Sequence, residues 1–174
     1  LIEGSPLSSA VRSRALAAFR RLAEAEGRVH GVPAEEVHFH EVGAVDSIAD
    51  IAGAAWAVEA LAIDEIRSGP PVLGTGSVET RHGELPLPAP ATLEVLRGLP
   101  IRHRESGREL TTPTGAAILA TFASRFGSAP DLVLDRIGYG AGGDHPGGLP
   151  NVLRLWLGET PAAGADSVDR IETN

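Results

Sequence analysis

The sequence predicts an α+β fold: a sheet with packed helices and proline-rich connections, or a loosely wound α/β sandwich. Three observations point there. Apolar residues recur at helical spacing near the start of the chain and again after residue 44. Short runs of β-type residues follow, separated by proline and glycine. Strands and helices then mix without the regular alternation of a parallel α/β sheet.

The elements follow in order. Residues 5–26 read as an amphipathic helix, with Ser5 as cap and Pro6 in the first turn. Leu7, Val11, Ala15, Phe19 and Leu22 mark its apolar face, and Gly27 can stop it. Residues 37–42 read as a short extended segment. Residues 44–61 form a second helix, rich in alanine and carrying Trp56. Residues 63–68 suit a strand. Residues 69–90 hold five prolines and four glycines, so they predict strand, loop, strand. Pro88 and Pro90 cannot sit in a central strand. A helix follows from Ala89 to Arg97, then a strand at 101–104. A third core helix spans 112–126, with Pro113 in its first turn. Residues 132–139 and 152–157 read as strands. Residues 1–158 are taken as one domain, and 159–174 as a polar tail or linker.

Composition excludes several chemistries. The net charge of −8 argues against nucleic acid and anionic membranes as partners. All 15 basic residues are arginine, so lysine Schiff bases and a P-loop lysine are excluded within this chain. There is no cysteine, so any metal is held by nitrogen and oxygen. No run approaches the roughly 18 apolar residues of a membrane span. A reducing, cytoplasmic setting fits.

The densest chemistry lies between residues 38 and 50, where His38, His40, Glu41, Asp46 and Asp50 are interleaved with Phe39, Val42, Val45 and Ile48. On an extended segment, residues two apart such as His38 and His40 point to one side. On a helix, residues four apart such as Asp46 and Asp50 stack one turn above the other. Two exposed carboxylates so placed repel by roughly 0.2–0.5 kcal/mol, and a cation between them relieves that. Imidazole suits nickel, zinc, copper and iron, and carboxylates broaden the range towards magnesium and manganese. Spacing alone leaves open a hydrogen-bonded strand–helix junction with no metal.

Three further segments can carry chemistry. Thr112, Thr114 and Gly115 open a helix and can bind an anion, with simple capping as the alternative. Gly140 and Gly142 belong to a stretch with six glycines between 138 and 148, either a ligand-approach loop or merely a loop. Arg81 suits a phosphate or carboxylate, and His82 suits a third nitrogen ligand or a place in solvent. His30 and His103 read as surface residues.

Four ordered blocks now stand together: His38-Phe39-His40-Glu41-Val42-Gly43 with Asp46-Ser47-Ile48 and Asp50-Ile51; Arg81-His82-Gly83 with Pro86, Pro88 and Pro90-Ala91-Thr92; Glu109-Leu110-Thr111-Thr112-Pro113-Thr114-Gly115; and Gly138-Tyr139-Gly140-Ala141-Gly142. Taken in this order they resemble the LarC family, the nickel-inserting proteins of nickel-pincer cofactor biosynthesis. The resemblance runs from about Val29 to Leu157.

It implies a nickel insertase (cyclometallase, lyase class) acting on pyridinium-3,5-bisthiocarboxylic acid mononucleotide, with formation of Ni–S and Ni–C bonds. It implies CTP with magnesium or manganese, at a site expected in a C-terminal half outside this chain. An acidic, glycine-rich opening segment of the family is also expected to precede Leu1. Within that frame His38, His40, Glu41, Asp46, Asp50 and His82 are the candidate nickel ligands. His40 or Glu41 is the candidate base. Arg81, Thr112, Thr114, Gly115, Gly140 and Gly142 are candidates for substrate phosphate and ribose. The expected partners are the mononucleotide, the remaining half of the protein and other copies in a homo-oligomer. The alternative is a non-catalytic nickel-binding or oligomerisation module serving the CTP-hydrolysing half.

Overall fold

The computed structural model describes residues 1–37, 39, 45–80, 83–142 and 152–161. They fall into two compact units, Leu1–Ser128 and Ala129–Asn174. The fold is mixed α+β, as the sequence predicts, with the strands in four two-stranded sheets among the described residues.

The first unit is built on helix α1 (Ser9–His30). The helix starts four residues later than Ser5 predicts. Ser5 is spent on a turn, its hydroxyl donating to the Ile2 carbonyl at 2.6 Å. Ser8 is the cap instead: its Oγ accepts from the Val11 amide at 3.1 Å and donates to Glu59 at 2.6 Å. The helix also runs past Gly27, which is needed for close approach, since a Cβ there would lie 2.7 Å from the Val32 carbonyl. Gly31, at φ 71°, takes the left-handed position that ends the helix.

Val11, Ala15, Ala18, Leu22 and Ala25 form the fully buried row of α1. That row packs on helices α2 (Val45–Ala60), α3 (Pro90–Val95) and α4 (Pro113–Phe122), and on a 3-10 turn at Ala34–Glu36. Ile51 and Ala55 enter from α2, Val95 from α3, and Ala116 and Ala117 from α4. Alanine on facing helices leaves room for close approach, so few large side chains suffice for the core. Truncating one of them, Leu22→Ala, is expected to cost about 2–5 kcal/mol.

The first unit also holds two parallel strand pairs. Strand β1 (Arg67–Ser68) pairs with β6 (Arg125–Phe126), and β2 (Val72–Leu73) with β5 (Arg102–His103). The expectation of a helix through residue 126 is thereby corrected. Ala123 is extended, the Ser124 amide bonds the Ile66 carbonyl at 2.9 Å, and the chain enters β6. Strands β3 (Ser77–Thr80) and β4 (Gly83–Pro86) make an antiparallel hairpin. His30 and His103 are exposed, as expected.

The second unit contains a longer antiparallel ribbon, β7 (Val133–Ala141) with β8 (Val152–Glu159), interrupted by a bulge between Leu134 and Arg136. The expected tail is residues 159–174; its first residue, Glu159, ends β8, and residues 162–174 lie outside the described residues. Among the described residues no helix is long and apolar enough to cross a membrane.

Candidate functional site

Helix α2 begins at Val45, which puts Asp46 in its first turn, where negative charge meets the positive end of the helix dipole. Asp46 Oδ1 accepts from the Ser47 amide at 2.8 Å. Asp46 and Asp50 are both exposed, one turn apart on the face opposite buried Ile51 and Ala55. Just ahead, Phe39 is half-buried and meets Phe19 of α1 edge-on, with ring centroids 6.1 Å apart. His38, His40 and Glu41 lie outside the described residues. Among the described residues no three His, Asp or Glu side chains come together as a metal cluster.

The hairpin supplies a second candidate position. Thr80 pairs with Gly83, and the Thr80 hydroxyl donates to the Gly83 carbonyl at 2.8 Å. Arg81 and His82 are the two residues between these strands and lie outside the described residues.

The third candidate is the start of α4. Thr112 is its cap, with Oγ1 accepting from the Gly115 amide at 3.1 Å. Pro113 has no amide proton, so the first turn has fewer donors for an anion than an ordinary helix start. The Thr112 hydroxyl keeps its own proton to donate. Thr114 and Gly115 are half-buried. The Thr111 hydroxyl bonds the Val72 carbonyl at 2.7 Å and ties this helix start to β2. Gly140 lies in β7 of the second unit and Gly142 just after it, both exposed.

Sequence reasoning missed a junction between the loops that follow β2 and β5. After β2 the chain passes through Gly74, Thr75 and Gly76; after β5 it passes through Ser106, Gly107 and Arg108. The Ser106 amide donates to Thr75 Oγ1 at 3.0 Å, and the Thr75 amide donates to Ser106 Oγ at 3.3 Å. A Cβ at Gly74 would lie 1.9 Å from the Arg108 carbonyl. Ligands of parallel strands gather at their carboxyl ends. From that end of the β2–β5 pair the chain leads on to the hairpin and to the start of α4. The signal in the sequence was Gly74 and Gly76 flanking a threonine; its partner at Ser106 is non-local.

A groove also lies between α1 and α3, lined by Arg21, Glu24, Arg28, Glu94, Val95 and Arg97. Its guanidinium groups are engaged within the fold: Arg28 bonds Glu94 at 2.7 Å, Arg97 bonds the same carboxylate, and Arg21 bonds the Val95 carbonyl at 3.1 Å. The hydrogen bond from Arg28 holds the Glu94 carboxyl below its ordinary value. This groove is an ion-pair network that fastens α3 to α1.

The family model described as nickel insertion protein matches residues 1–174. The chain belongs to the nickel insertion protein family. A relative in Geobacter metallireducens is 53% identical over 175 residues, covering 100% of this chain and 45% of the relative. One in Geotalea daltonii is 50% identical with the same coverage. One in Myxococcus xanthus is 47% identical over 172 residues, covering 99% of this chain and 44% of the relative. All three carry nickel insertion protein as a provisional name. The chain spans less than half the length of these relatives. No solved structure matches it.

Proposed function

We propose that this nickel insertion family chain is the part of a CTP-dependent nickel insertase that handles nickel and the nucleotide substrate. The substrate is pyridinium-3,5-bisthiocarboxylic acid mononucleotide and the product is the nickel-pincer cofactor. The observation that carries the reading is the bracket formed by Phe39 on Phe19 and by Asp46 at the start of α2. His40 and Glu41 fall between these two fixed points in the chain.

In this reading His38, His40 and Glu41 are the primary nickel ligands, with Asp46, Asp50 and His82 in support. Nitrogen and oxygen ligation without thiolate suits an ion that must be released to substrate sulfur. Metallation of the ring carbon forms the Ni–C bond and removes a proton, which whichever of His40 and Glu41 is not a ligand accepts. The carbothioate sulfurs form the Ni–S bonds. Arg81, Thr112, Thr114 and Gly115 hold the substrate phosphate. The CTP site, with magnesium or manganese, belongs to the remainder of the protein, so this chain alone is inactive in insertion. The setting is the cytoplasm.

The test is nickel insertion by the intact protein carrying His38→Ala with His40→Ala. The reading expects a loss of at least about a hundredfold with the fold retained. Full insertion by that variant would end the metal role. Nickel binding by this chain without any binding of the mononucleotide would favour the non-catalytic module.

A further inference from the structure

We propose that Ser47 is a positioning residue of the nickel site, its hydroxyl held ready to accept the second ring N–H of a histidine that binds nickel. The proposal rests on the reading of His38 and His40 as ligands.

Ser47 and Thr92 are the two buried polar side chains among the described residues, 7% and 0% exposed. Buried polar groups are nearly always hydrogen-bonded, so one that is not calls for a reason. Among the described residues the Ser47 hydroxyl has no hydrogen-bond partner. Outside the ladder of α2, Ser47 makes only the bond from its amide to Asp46 Oδ1, at 2.8 Å.

Local stability does not account for a serine here. A serine at a helix start ordinarily caps a free amide or bonds a carbonyl one turn back. The Ser47 hydroxyl does neither among the described residues. The buried row of α2 continues with Ile51 and Ala55. Alanine at position 47 would continue that row with higher helix propensity and no polar atom to desolvate. A side chain that breaks a local rule without stabilising the fold marks a functional position.

Its place says which function. Ser47 follows Asp46 directly and lies three residues before Asp50, so it neighbours Asp50 on the helix surface. It stands at the border between the exposed carboxylates and the buried row. Side chains on a helix lean toward its N-terminus. The Ser47 hydroxyl is therefore directed to the end of α2 that the chain enters from His40 and Glu41. Phe39 and Ile48, before and after it in the chain, pack against the same core.

A histidine that ligates a metal through one ring nitrogen almost always donates the N–H of the other to an oxygen, which sets its tautomer and orientation. A serine hydroxyl can accept that bond while donating its own proton to a carboxylate. Asp50 is such a carboxylate, so Ser47 links the imidazole to Asp50 without touching nickel.

The experiment is nickel titration and thermal melting of the 174-residue chain as parent, Ser47→Ala, Ser47→Thr and Thr92→Val. Ser47→Ala loses no hydrogen bond of the metal-free fold. Its melting temperature should equal or exceed the parent's, while nickel binds about ten- to a hundredfold more weakly. Ser47→Thr keeps the hydroxyl but adds a methyl group in a buried place. It should melt below the parent and yet bind nickel more tightly than Ser47→Ala. Thr92→Val removes the other buried, unpartnered hydroxyl, on α3, and should leave nickel affinity unchanged. Parental affinity in Ser47→Ala overturns the proposal, as does Ser47→Thr binding no better than Ser47→Ala, or an equal loss in Thr92→Val. The His38→Ala/His40→Ala variant, run beside them, separates the two claims. If the parent binds no nickel, or this variant binds it as the parent does, the histidine reading falls and this proposal with it. If this variant loses nickel while Ser47→Ala does not, only this proposal falls.

Discussion

The ring of Phe39 meets that of Phe19 edge-on, at 6.1 Å between centroids and 66° between planes. An aromatic pair in this geometry contributes beyond its buried area. It fixes the chain between the two histidines to the central helix. Phe39→Ala is therefore expected to cost about 2 kcal/mol, read from urea denaturation. It should also weaken nickel binding although no ligand is removed, while Phe39→Leu retains most of both. Unchanged nickel affinity in a folded Phe39→Ala chain would show that the pair anchors nothing of functional weight.

Thr112 has two assigned tasks, capping α4 and donating to substrate phosphate. Thr112→Ala should lower stability by about 1 kcal/mol through the lost cap. Thr112→Ser restores both the acceptor and the donor. Titration with the mononucleotide should show weaker binding for the alanine variant and near-parental binding for serine. Stability that changes without any change in binding would leave Thr112 as a cap alone.

Gly74 faces the Arg108 carbonyl with no room for a side chain. The clash is with backbone, which cannot swing aside. Gly74→Ala should cost at least about 2 kcal/mol, measured by chemical denaturation. Thr75→Val, which removes the oxygen that accepts from Ser106, should be milder, because the shape is kept.

Two carboxylates make stability depend on acid pH. Glu65 is held below its ordinary value of 4.5 chiefly by the hydrogen bond from Arg67, and Glu94 below the same value chiefly by that from Arg28. Each folded-state value lies under the unfolded one, so the contribution is complete above pH 4.5 and is lost as pH falls through the folded values. Melting temperature should fall below that point for this reason, and Glu94→Gln should flatten part of the fall. Glu65 is exposed and Glu94 only half-buried, so added salt should shrink the effect. A Glu94→Gln chain with the parental pH profile would contradict the assignment.

Local signals in the sequence carried most of the fold. The apolar face of α1 was legible because Val11, Ala15 and Leu22 repeat at helical spacing, and all three are fully buried. Pro113 and Thr112 placed the start of α4 correctly. What was illegible depended on distant partners. Ser8 beats Ser5 as a cap partly because Glu59 waits on α2. Gly27 looked like a terminator because its contact with the Val32 carbonyl is invisible in sequence. The chain leaves α4 after Phe122 because the backbone at Ile66 accepts the Ser124 amide. The Thr75–Ser106 junction joins residues 31 apart, beyond any local pattern. For the site, Asp46 and Asp50 share an exposed face of α2 as their spacing predicts, while the roles of His38, His40, Glu41 and His82 remain proposals.

The most direct measurement is isothermal titration of this chain with nickel, with and without the pyridinium mononucleotide, beside the His38→Ala/His40→Ala variant. The account predicts nickel binding by the parent, its loss in a variant that keeps the parental helix content, and a change in affinity when the mononucleotide is present. A folded parent that takes up no nickel, or a double variant that binds it as tightly as the parent, would contradict the assignment of the metal site to this part of the protein.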